Sequence, residues 1–437
     1  MFKFFPDILP KINFGEFLSL INYIVFAILA IIYFHHNLFL ILAIFFKKKA
    51  YPEAKENHYY GFIISARNEE QVIANLIESI KQQDYPTDKY KIYVIADNCL
   101  DNTASIAKEH GAIVIERHNT QKIGKSYALD EILKYAINDE ERIEAFIVFD
   151  ADNVVDKNFT KEMNKAFDAG NIIATSFRNS KNYGSSWVAS GTGMTFFREC
   201  RVMHRMRSRL NMTTYVSGTG FLVSKQIIIE NGGWVNHLMI EDVEFSIDEW
   251  LKGYKVAYVA DAIMYDEHPK NFKDSFKQRM RWCKGNHQCF HKFHFKLFKN
   301  GFKRPSYSNI DLYAHTFPAS VLSLGWLGFV LPLSYGIYAI VADVPFNIYF
   351  EAAVRPLIDS IIFSVLYTLV VATIVTILCW KDIKAKASKK ILHIFTFPLY
   401  ALSYLFISFI SIFAKAEWKP IKHTDSITIE DIEKDSI

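Results

Sequence analysis

The apolar positions of the chain are grouped in four long stretches, at residues 17–46 and about residues 314–342, 357–380 and 391–413. The first stretch contains no Asp, Glu, Lys or Arg. About 20 helical residues cross the hydrocarbon core of a bilayer, so each stretch is long enough to form a membrane-spanning helix. The first stretch is also too long for a cleavable signal peptide. The pattern therefore predicts a membrane protein with a polar middle section.

The charges beside these stretches indicate which ends face the cytoplasm. Three Lys at 47–49 follow the first stretch, and residues 381–390 carry five Lys and one Asp. Positively charged loops favour the cytoplasmic side. Three crossings after a cytoplasmic middle section would put the tail outside, although the tail also begins with several Lys. Either one late stretch does not cross, as Pro398 would allow through an interfacial or re-entrant course, or the charges of the tail are misleading.

Between the first and second stretches, short apolar runs alternate with amphipathic segments. In order, the predicted elements are a strand at 60–66, a helix at 69–82, a strand at 90–96, a helix at 103–110, a strand at 112–116, a helix at 125–138 and a strand at 145–149. Strands that alternate with helices form a mainly parallel sheet with helices on both faces. Such sheets bind ligands at the carboxyl ends of their strands.

Polar and mostly acidic residues follow three of these strands. Arg67 and Glu69 follow the first, Asp97 follows the second, and Asp150 and Asp152 follow the fourth. Two carboxylates this close repel each other unless a cation or a proton lies between them. Mg²⁺ is usually held by one or two carboxylates together with phosphate oxygens. The Asp150-x-Asp152 pair therefore indicates a metal-bridged diphosphate, although an exposed acidic turn would give the same pattern.

Two later segments carry residues that suit a transfer reaction. Glu241 and Asp242 precede an amphipathic stretch, where a carboxylate is either a general base for an acceptor hydroxyl or a helix cap. In the run from Gln278 to Trp282, Arg281 has a guanidinium that matches a diphosphate, and Trp282 offers a flat face to a sugar ring. A basic amphipathic helix on the membrane surface would explain the same run.

Small and basic residues give two weaker signals. The run Ser217-Gly218-Thr219-Gly220 permits close approach of the backbone to a ligand, and a tight turn would explain it equally well. Lys125 follows a glycine at the start of a predicted helix, where it either contacts a phosphate or is exposed.

Composition and motif absences narrow the class of protein. The formal net charge is only +4, from 50 basic and 46 acidic residues, which does not favour nucleic-acid binding. The five Cys are scattered and odd in number, so they indicate neither a disulfide framework nor a zinc site and fit a reducing compartment. No GxGxxG follows the first strand, and the chain has no GxxxxGK[ST]. A dinucleotide-binding fold is therefore disfavoured, and a P-loop nucleotide hydrolase is excluded.

Taken together and in order, these segments resemble the membrane-embedded family-2 glycosyltransferases, which include cellulose, chitin, hyaluronan and poly-N-acetylglucosamine synthases. The resemblance covers about residues 59–290 and the general membrane layout. It implies a glycosyltransferase A-type α/β domain, with a mainly parallel sheet and helices on both faces, inserted between transmembrane helices. It also implies inverting, metal-dependent transfer from a UDP-sugar, with Mg²⁺ or Mn²⁺ as cofactor.

The resemblance implies a role for each matching residue. By motif, the nucleotide pocket contains Ala66, Arg67, Glu69 and Asp97, the donor contacts Lys125 and Asp150, and the metal is held by Asp152 with Asp150. The general base is Asp242, with Glu241 beside it. The residues near the acceptor are Ser217, Gly218, Thr219 and Gly220, and those at the acceptor and diphosphate sites are Gln278, Arg281 and Trp282. The chain departs from the family in having Ala96 where a second Asp is common. It also lacks an FxVTxK-type gating loop and a cyclic-dinucleotide-binding tail.

The resemblance leaves three kinds of function open. The first is a processive β-glycosyltransferase that extends a glycan from UDP-glucose, giving a cellulose-like or mixed-linkage β-glucan, and passes it across the bilayer; UDP-N-acetylglucosamine is the alternative donor. The second is transfer of a single sugar to a lipid acceptor. The third is a transporter or an inactive scaffold, which the few intramembrane ionisable residues and the complete acidic set disfavour.

The expected protein is a multi-pass protein of the cell membrane with a cytoplasmic catalytic domain. Its parts are an interfacial lead-in at 1–16, a transmembrane helix at 17–46, the glycosyltransferase domain at 59–290, an amphipathic interface segment at 291–313, a membrane region with three apolar stretches at 314–413 and a polar tail at 414–437. Its expected partners are a UDP-sugar, the growing glycan and the lipid bilayer, with no nucleic acid.

Overall fold

The computed structural model describes residues 14–415 and 425–434. The strands are β1 (Tyr60–Ala66), β2 (Tyr90–Asp97), β3 (Ile113–Arg117), β4 (Ala145–Asp150), β5 (Val154–Val155), β6 (Ile173–Ser180), β7 (Phe221–Ser224) and β8 (Ala257–Asp266). The helices are α1 (Phe14–Phe45), α2 (Ile73–Lys81), α3 (Thr103–Glu109), α4 (Lys125–Asp139), α5 (Phe159–Asp168), α6 (Trp187–Arg198), α7 (Arg205–Arg209), α8 (Lys225–Glu230), α9 (Glu241–Lys252), α10 (Phe272–Lys303), α11 (Tyr307–Thr316), α12 (Ala319–Leu324), α13 (Leu331–Val341), α14 (Phe346–Tyr349), α15 (Arg355–Leu378), α16 (Ala387–Phe413) and α17 (Ile429–Lys434).

The eight strands form one sheet in the order β3-β2-β1-β4-β7-β6-β8-β5. Four neighbouring pairs are parallel, namely β1 with β2 and β4, β2 with β3, and β6 with β8. The other three pairs are antiparallel, because β7 runs against β4 and β6, and β5 runs against β8. The predicted α/β fold with a mainly parallel sheet is therefore confirmed, with two strands reversed.

Helices cover both faces of this sheet. Phe62 and Ile64 of β1 pack on one face, in a core that includes residues of α2 and α5. Ile63, which lies between them in sequence, packs on the other face with residues of α4, α8 and α9. Burial on both faces explains why the strands are continuous apolar runs rather than alternating ones.

The predicted helix at 69–82 begins later than its pattern suggests. The backbone N–H of Glu69 donates to Thr103 Oγ1 (2.8 Å), and that of Glu70 donates to an Asp101 carboxylate oxygen (3.2 Å). These bonds hold residues 69–72 in a turn against the start of α3, so α2 starts at Ile73. The delay places the polar residues after β1 on a loop at the edge of the sheet.

Four helical stretches are long and apolar enough to span a membrane, at Phe14–Phe45, Ala319–Val341, Phe346–Leu378 and Ala387–Phe413. The two middle stretches each contain a π-helical turn, at Gly325–Val330 and Phe350–Val354. All four overlap the apolar stretches of the sequence.

The segments that flank the apolar helices differ from the simple division of the sequence. Residues 291–303 are the second half of α10, which runs unbroken from Phe272, and α11 follows at Tyr307. Of the expected lead-in at 1–16, residues 1–13 lie outside the described part, and residues 14–16 belong to α1. In the tail, Ile432 of α17 packs against Val154 and Tyr265. The described end of the chain therefore lies on the sheet edge formed by β5 and β8.

Candidate active site

Three strand ends bring the predicted donor residues to one edge of the sheet. β1 is parallel to both β2 and β4, and the register pairs Ala66 with Ala96 and Ser65 with Asp150. The loops after these strands therefore begin side by side, as expected for the carboxyl ends of parallel strands. Ala66 is buried, and Arg67 and Glu69 are partly buried.

The loops after β1 and β2 are bonded to each other. Asn68 and Asn98 both have left-handed backbones, with φ of 58° and 54°. The Asn68 side-chain oxygen accepts a hydrogen bond from the N–H of Leu100 (2.8 Å), and the Cys99 thiol lies 3.6 Å from the Ala66 carbonyl oxygen. Asn tolerates this conformation better than most residues. The two turns form one rigid rim of the site.

Asp97 lies at this rim, but its carboxylate is already engaged. It is buried, and it accepts hydrogen bonds from Arg117 Nη1 and from the Asn98 side chain (2.9 Å). Arg117, at the end of β3, also donates to the Lys122 carbonyl (2.7 Å). The sequence reasoning missed Arg117, which is the last residue of an apolar strand and so lies at the same edge.

Lys125 joins Asp150 to the glycine-rich loop. Its ammonium donates to Asp150 Oδ1 and to the Gly218 carbonyl (2.7 Å), and the N–H of Asp150 donates to Thr219 Oγ1 (2.9 Å). Burial lowers the pKa of Lys125, but the nearby carboxylates of Asp150 and Glu241 outweigh it, so the pKa is raised above the ordinary value. The ammonium is therefore a fixed positive charge at the site.

Asp152 is buried, and a network from β6 and β8 supports the turn that carries it. Lys181 Nζ donates to the Asp152 carbonyl oxygen (2.7 Å), and the Asn153 amide donates to Asp266 Oδ1 (2.8 Å). Arg178 forms two hydrogen bonds with Asp266 Oδ2, of 3.0 and 2.6 Å. These partners come from strand ends that the sequence reasoning did not assign.

His268 is a third candidate metal donor. Its Nδ1 lies 3.4 Å from Asp266 Oδ2, and its Nε2 is buried with no hydrogen-bond partner among the residues that the structure describes. A buried imidazole nitrogen without a partner suits a cation ligand. The Asn153 amide bonds to both Asp152 Oδ1 (3.3 Å) and Asp266 Oδ1 (2.8 Å), so His268 and Asp152 belong to one network. Carboxylate oxygens and an imidazole nitrogen are donors of the kinds that bind Mn²⁺ or Mg²⁺.

The candidate base lies across the glycine-rich loop from these residues. A methyl group placed on Gly218 would lie 3.5 Å from Asp242 Oδ2, so the carboxylate and the loop are close neighbours. Burial and the charge of Glu241 raise the pKa of Asp242 to about 7. Burial likewise raises the pKa of Glu241. Two adjacent carboxyls at the start of α9 thus share an environment that disfavours ionisation of both.

Helix α10 brings its residues to the same place. Burial lowers the pKa of Arg281, and the charges of Glu241, Asp150 and Asp242 oppose that shift, so its guanidinium lies near all three carboxylates. The ring of Trp282 meets the ring of Phe196 edge to face, with centroids 5.9 Å apart. The Gln278 side-chain oxygen is buried and has no hydrogen-bond partner within the described residues.

The glycine-rich loop is held from both sides. The Ser217 hydroxyl donates to Glu199 Oε1, and the Ser217 carbonyl accepts from Arg178 Nη1 (2.7 Å). Gly220 has φ of +63°, and a Cβ there would lie 2.5 Å from the Ser176 hydroxyl oxygen. Only glycine therefore fits at position 220. Glu199 was missed, because it lies among basic residues of a helical segment, where an acidic residue is ordinary.

Comparison with known proteins agrees with this arrangement. The family model described as "Glycosyltransferase like family 2" matches residues 57–285, which is more than half of the chain. That range contains all the sequence-predicted site residues that the structure brings together around Asp150.

Three curated relatives match this chain over more than half of its length. The probable glycosyltransferase YdaM of Bacillus subtilis (strain 168) is 27% identical over 57% of this chain and 60% of its own length. The β-monoglucosyldiacylglycerol synthase of Nostoc sp. (strain PCC 7120) is 23% identical over 55% of this chain and 52% of its own. The poly-β-1,6-N-acetyl-D-glucosamine synthase of Staphylococcus aureus (strain COL) is 23% identical over 62% and 63%. The chain thus spans about half to three fifths of the length of these relatives.

A solved structure of similar fold is the mannosyltransferase PcManGT of Pyrobaculum calidifontis in complex with GDP-mannose and Mn²⁺. It aligns with a TM-score of 0.58 and 17% sequence identity, over 89% of this chain and 97% of that one. With the family match, this likeness confirms the predicted glycosyltransferase A-type fold.

Proposed function

Since the chain belongs to glycosyltransferase family 2, we propose that it transfers a hexose, with inversion, from a nucleotide diphosphate sugar to a hydroxyl group presented at a membrane surface. One observation supports this most directly. Asp242, whose pKa is raised to about 7, faces the glycine-rich loop whose other side is bonded to Lys125 and Asp150. A base and a cationic diphosphate site on opposite sides of one loop suit in-line displacement at the anomeric carbon.

The residues of the chain divide the reaction between them. Asp242 accepts the proton of the attacking hydroxyl, because a carboxylate with a pKa near neutrality is an effective base. Lys125 and Arg281 oppose the negative charge that develops on the departing diphosphate. A divalent cation held by Asp150, Asp152 and His268 would supply further positive charge there. Attack from the side opposite the leaving group converts an α-linked donor into a β-linked product.

The favoured reaction is processive extension of a β-glucan from UDP-glucose. Trp282 and Phe196 form an aromatic wall beside Arg281, which suits stacking of the acceptor sugar. One relative is named as a polymer synthase. UDP-N-acetylglucosamine is the alternative donor for the same site.

Transfer of one sugar to a lipid is a second candidate, and a specific feature favours it. In the most apolar part of each described spanning stretch only 11–28% of the residues are buried within the protein, so most of these side chains are open to the bilayer. A conduit for a polymer requires enclosed walls, whereas a lipid acceptor requires only access from the bilayer. A named relative, the β-monoglucosyldiacylglycerol synthase, fits this alternative.

The membrane layout that we propose has three crossings, α1, α12–α13 and α14–α15. The loop before α16 lies on the catalytic domain, because Arg201 donates to both oxygens of Asp382 (2.9 and 2.7 Å) and Asn179 donates to its carbonyl (3.0 Å). The tail lies there too, since Lys270 is ion-paired with Asp425. Helix α16 therefore begins and ends on the same side.

Contacts along α16 support an interfacial course. Arg279 donates to the Ser403 hydroxyl (2.6 Å), His287 Nε2 bonds to the Ser408 carbonyl (3.1 Å) and Lys284 donates to the Ile412 carbonyl (3.0 Å). Successive turns of α10 thus meet successive turns of α16. The opposite face of α16 exposes large apolar side chains, at Leu392, Phe395, Leu399, Phe406 and Phe413. Together with the charge bias of the loops, this layout supports a cytoplasmic position for the catalytic domain.

One assay distinguishes these reactions. The full-length protein in detergent is incubated with Mn²⁺ and radiolabelled UDP-glucose or UDP-N-acetylglucosamine, with the Asp242→Asn variant as the blank. High-mass label that a linkage-specific β-glucanase removes would support the glucan synthase. Label that extracts with lipid would support single transfer. If neither donor gives label above the blank, the proposed reaction with these donors is wrong.

A further inference from the structure

The end of the described chain returns to the loop that carries His268. The Lys270 ammonium donates to Asp425 Oδ1, the Asn182 amide donates to Asp425 Oδ2 (3.1 Å), and the N–H of Asp425 donates to Glu267 Oε2 (3.2 Å). Three bonds from one tail residue thus reach both the loop after β6 and the loop after β8. The Asp425 side chain is 11% exposed, so these bonds are largely shielded from water.

One of the residues that Asp425 contacts, Asn182, is bonded to the loop that carries His268. Asn182 is bonded to the backbone of His268 in both directions, through its amide to the His268 carbonyl (2.9 Å) and through its oxygen from the His268 N–H (3.1 Å). The preceding residue, Lys181, donates to the Asp152 carbonyl (2.7 Å). Asp425 is therefore linked to His268 through one residue, Asn182, and to the backbone of Asp152 through two, Asn182 and Lys181.

The tail is also anchored on the far side of the same turn. Ile432 is 2% exposed and packs against Val154, which follows the Asp150–Asn153 turn, and against Tyr265 of β8. The Asn75 amide of α2 donates to the Ser426 hydroxyl (3.1 Å). The segment 425–434 thus contacts the protein on both sides of Asp152, and its position is fixed independently of Asp425.

We propose that Asp425 is a positioning residue for the donor site, which ties the C-terminal segment to the loops of Asn182 and His268 and so holds the metal donors in place. This inference rests on the proposed function. It assigns the tail a role in the affinity for the nucleotide and its cation, rather than in the chemical step. Loss of the carboxylate leaves His268 in the chain but frees the loop that orients it.

The test is a titration of Mn²⁺-dependent UDP binding to the full-length protein in detergent, which does not require turnover. In Asp425→Ala the Mn²⁺ concentration for half-maximal UDP binding is expected to rise about five- to tenfold, as for the loss of one or two charge-assisted hydrogen bonds. Asp425→Glu keeps the carboxylate and should recover most of the affinity. Ser426→Ala, which removes a neighbouring tail contact, should titrate like the wild type.

A second variant shows whether the ion pair carries the effect. Lys270→Ala should shift the titration in the same direction, and the double variant with Asp425→Ala should shift it no further than Asp425→Ala alone. Wild-type titration curves for Asp425→Ala, with a normal melting temperature, would overturn the inference. If the wild type shows no Mn²⁺-dependent UDP binding, the proposed function itself is wrong, and the two failures are thereby distinguished.

Discussion

The environment of Asp242 gives its carboxyl a pKa that suits a general base. It lies at the start of α9, next to Glu241, and electrostatic contact with Lys125 partly offsets the repulsion between the two carboxyls. Burial is the larger cause of its raised pKa, and the charge of Glu241 is the second. A base with a pKa near the working pH is strong enough to take a proton and is still largely ionised above neutrality.

Replacement of Asp242 should therefore abolish sugar transfer while the protein still binds the donor nucleotide. We expect Asp242→Asn to lower the transfer rate by about 100-fold or more while UDP binding stays close to that of the wild type. In the wild type the rate should rise with pH and reach half of its plateau at about pH 7, because the base acts when deprotonated. A pH-rate profile of the variant and the wild type checks the loss of rate and the midpoint, and a UDP titration checks binding. Asp248→Asn, on the same helix, is the control and should leave the profile unchanged.

The same pKa has a consequence for stability. A carboxyl whose pKa is raised on folding, here from 3.8 to about 7, binds a proton more tightly in the folded state. Stability is therefore lost as pH rises from about 4 to about 7, and stays low above that. We expect Asp242→Asn to melt at a higher temperature than the wild type at pH 8, with the difference shrinking towards pH 4. An equal or lower melting temperature at pH 8 would contradict the raised pKa.

The metal assignment can be tested on His268 and Asp152. Each replacement by Ala removes one donor, so we expect the Mn²⁺ requirement for UDP binding to rise about tenfold or more in each variant. His110→Ala is the control, because His110 also pairs with one carboxylate, that of Glu78 (2.7 Å), at the C-terminal end of α3. A wild-type titration for His268→Ala would remove that residue from the donor set.

Among the elements, α6 carries both Phe196, whose ring contacts Trp282, and the contact with α16. The Thr192 hydroxyl lies 3.0 Å from the Tyr400 hydroxyl of α16, and the Tyr400 ring packs directly over Gly191. From the other side, the Arg279 guanidinium stacks on the Tyr400 ring at 4.3 Å. Tyr400 is thus held between α6 and α10, and it links α16 to both of these helices.

This close packing explains why residue 191 is a glycine. A Cβ at Gly191 would lie 2.3–2.8 Å from atoms of the Tyr400 side chain, too close to fit without movement. We expect Gly191→Ala to lower the free energy of unfolding by about 1–3 kcal/mol through overpacking. Gly301→Ala on α10, where nothing lies within 4 Å, should instead stabilise the helix by about 0.5–1 kcal/mol. Thermal unfolding of both variants in detergent, with the wild type, provides the comparison.

The sequence predicts the first half of the sheet better than the second, for a physical reason. The run at 60–66 coincides with β1, because a strand buried on both faces is apolar throughout. β6, with sequence IATSFRNS, is buried but polar, and tertiary partners compensate some of its polar groups, as Asp266 does for Arg178. Those partners are distant in sequence, so no local pattern marks β6 as a strand.

The site residues divide in the same way, into those that a local sequence pattern marks and those that depend on tertiary contacts. Asp150, Asp152 and Asp242 could be chosen because carboxylates after strands and before a helix are visible in the sequence. Arg117 and His268 act through neighbours that only the fold provides, and no spacing in the chain links them to Asp150. Asp97 could be located, but the ion pair that occupies its carboxylate could not be foreseen.

For the whole molecule, the charges of the loops and the contacts of the tail lead to the same membrane layout. Three crossings after a cytoplasmic domain would put the tail outside, yet Asp425 contacts Lys270 and Asn182 of that domain. The interfacial α16 that we propose would remove this conflict. It would also bring the exposed apolar side chains of α16 level with the bilayer surface, beside the helix that carries Arg281 and Trp282.

Cysteine labelling tests this layout with three single replacements. The positions are Ala342, in the turn after α13, Ser388, at the start of α16, and Ser426, in the tail, all of which are exposed. Cys99 is changed to Ser in each variant, because the other four native cysteines are buried. We expect a membrane-impermeant maleimide to label only Ala342→Cys in intact cells, and to label Ser388→Cys and Ser426→Cys after permeabilisation. If Ser426→Cys reacts in intact cells while Ser388→Cys does not, α16 crosses the membrane, and the contact between Asp425 and Lys270 cannot exist in the cell.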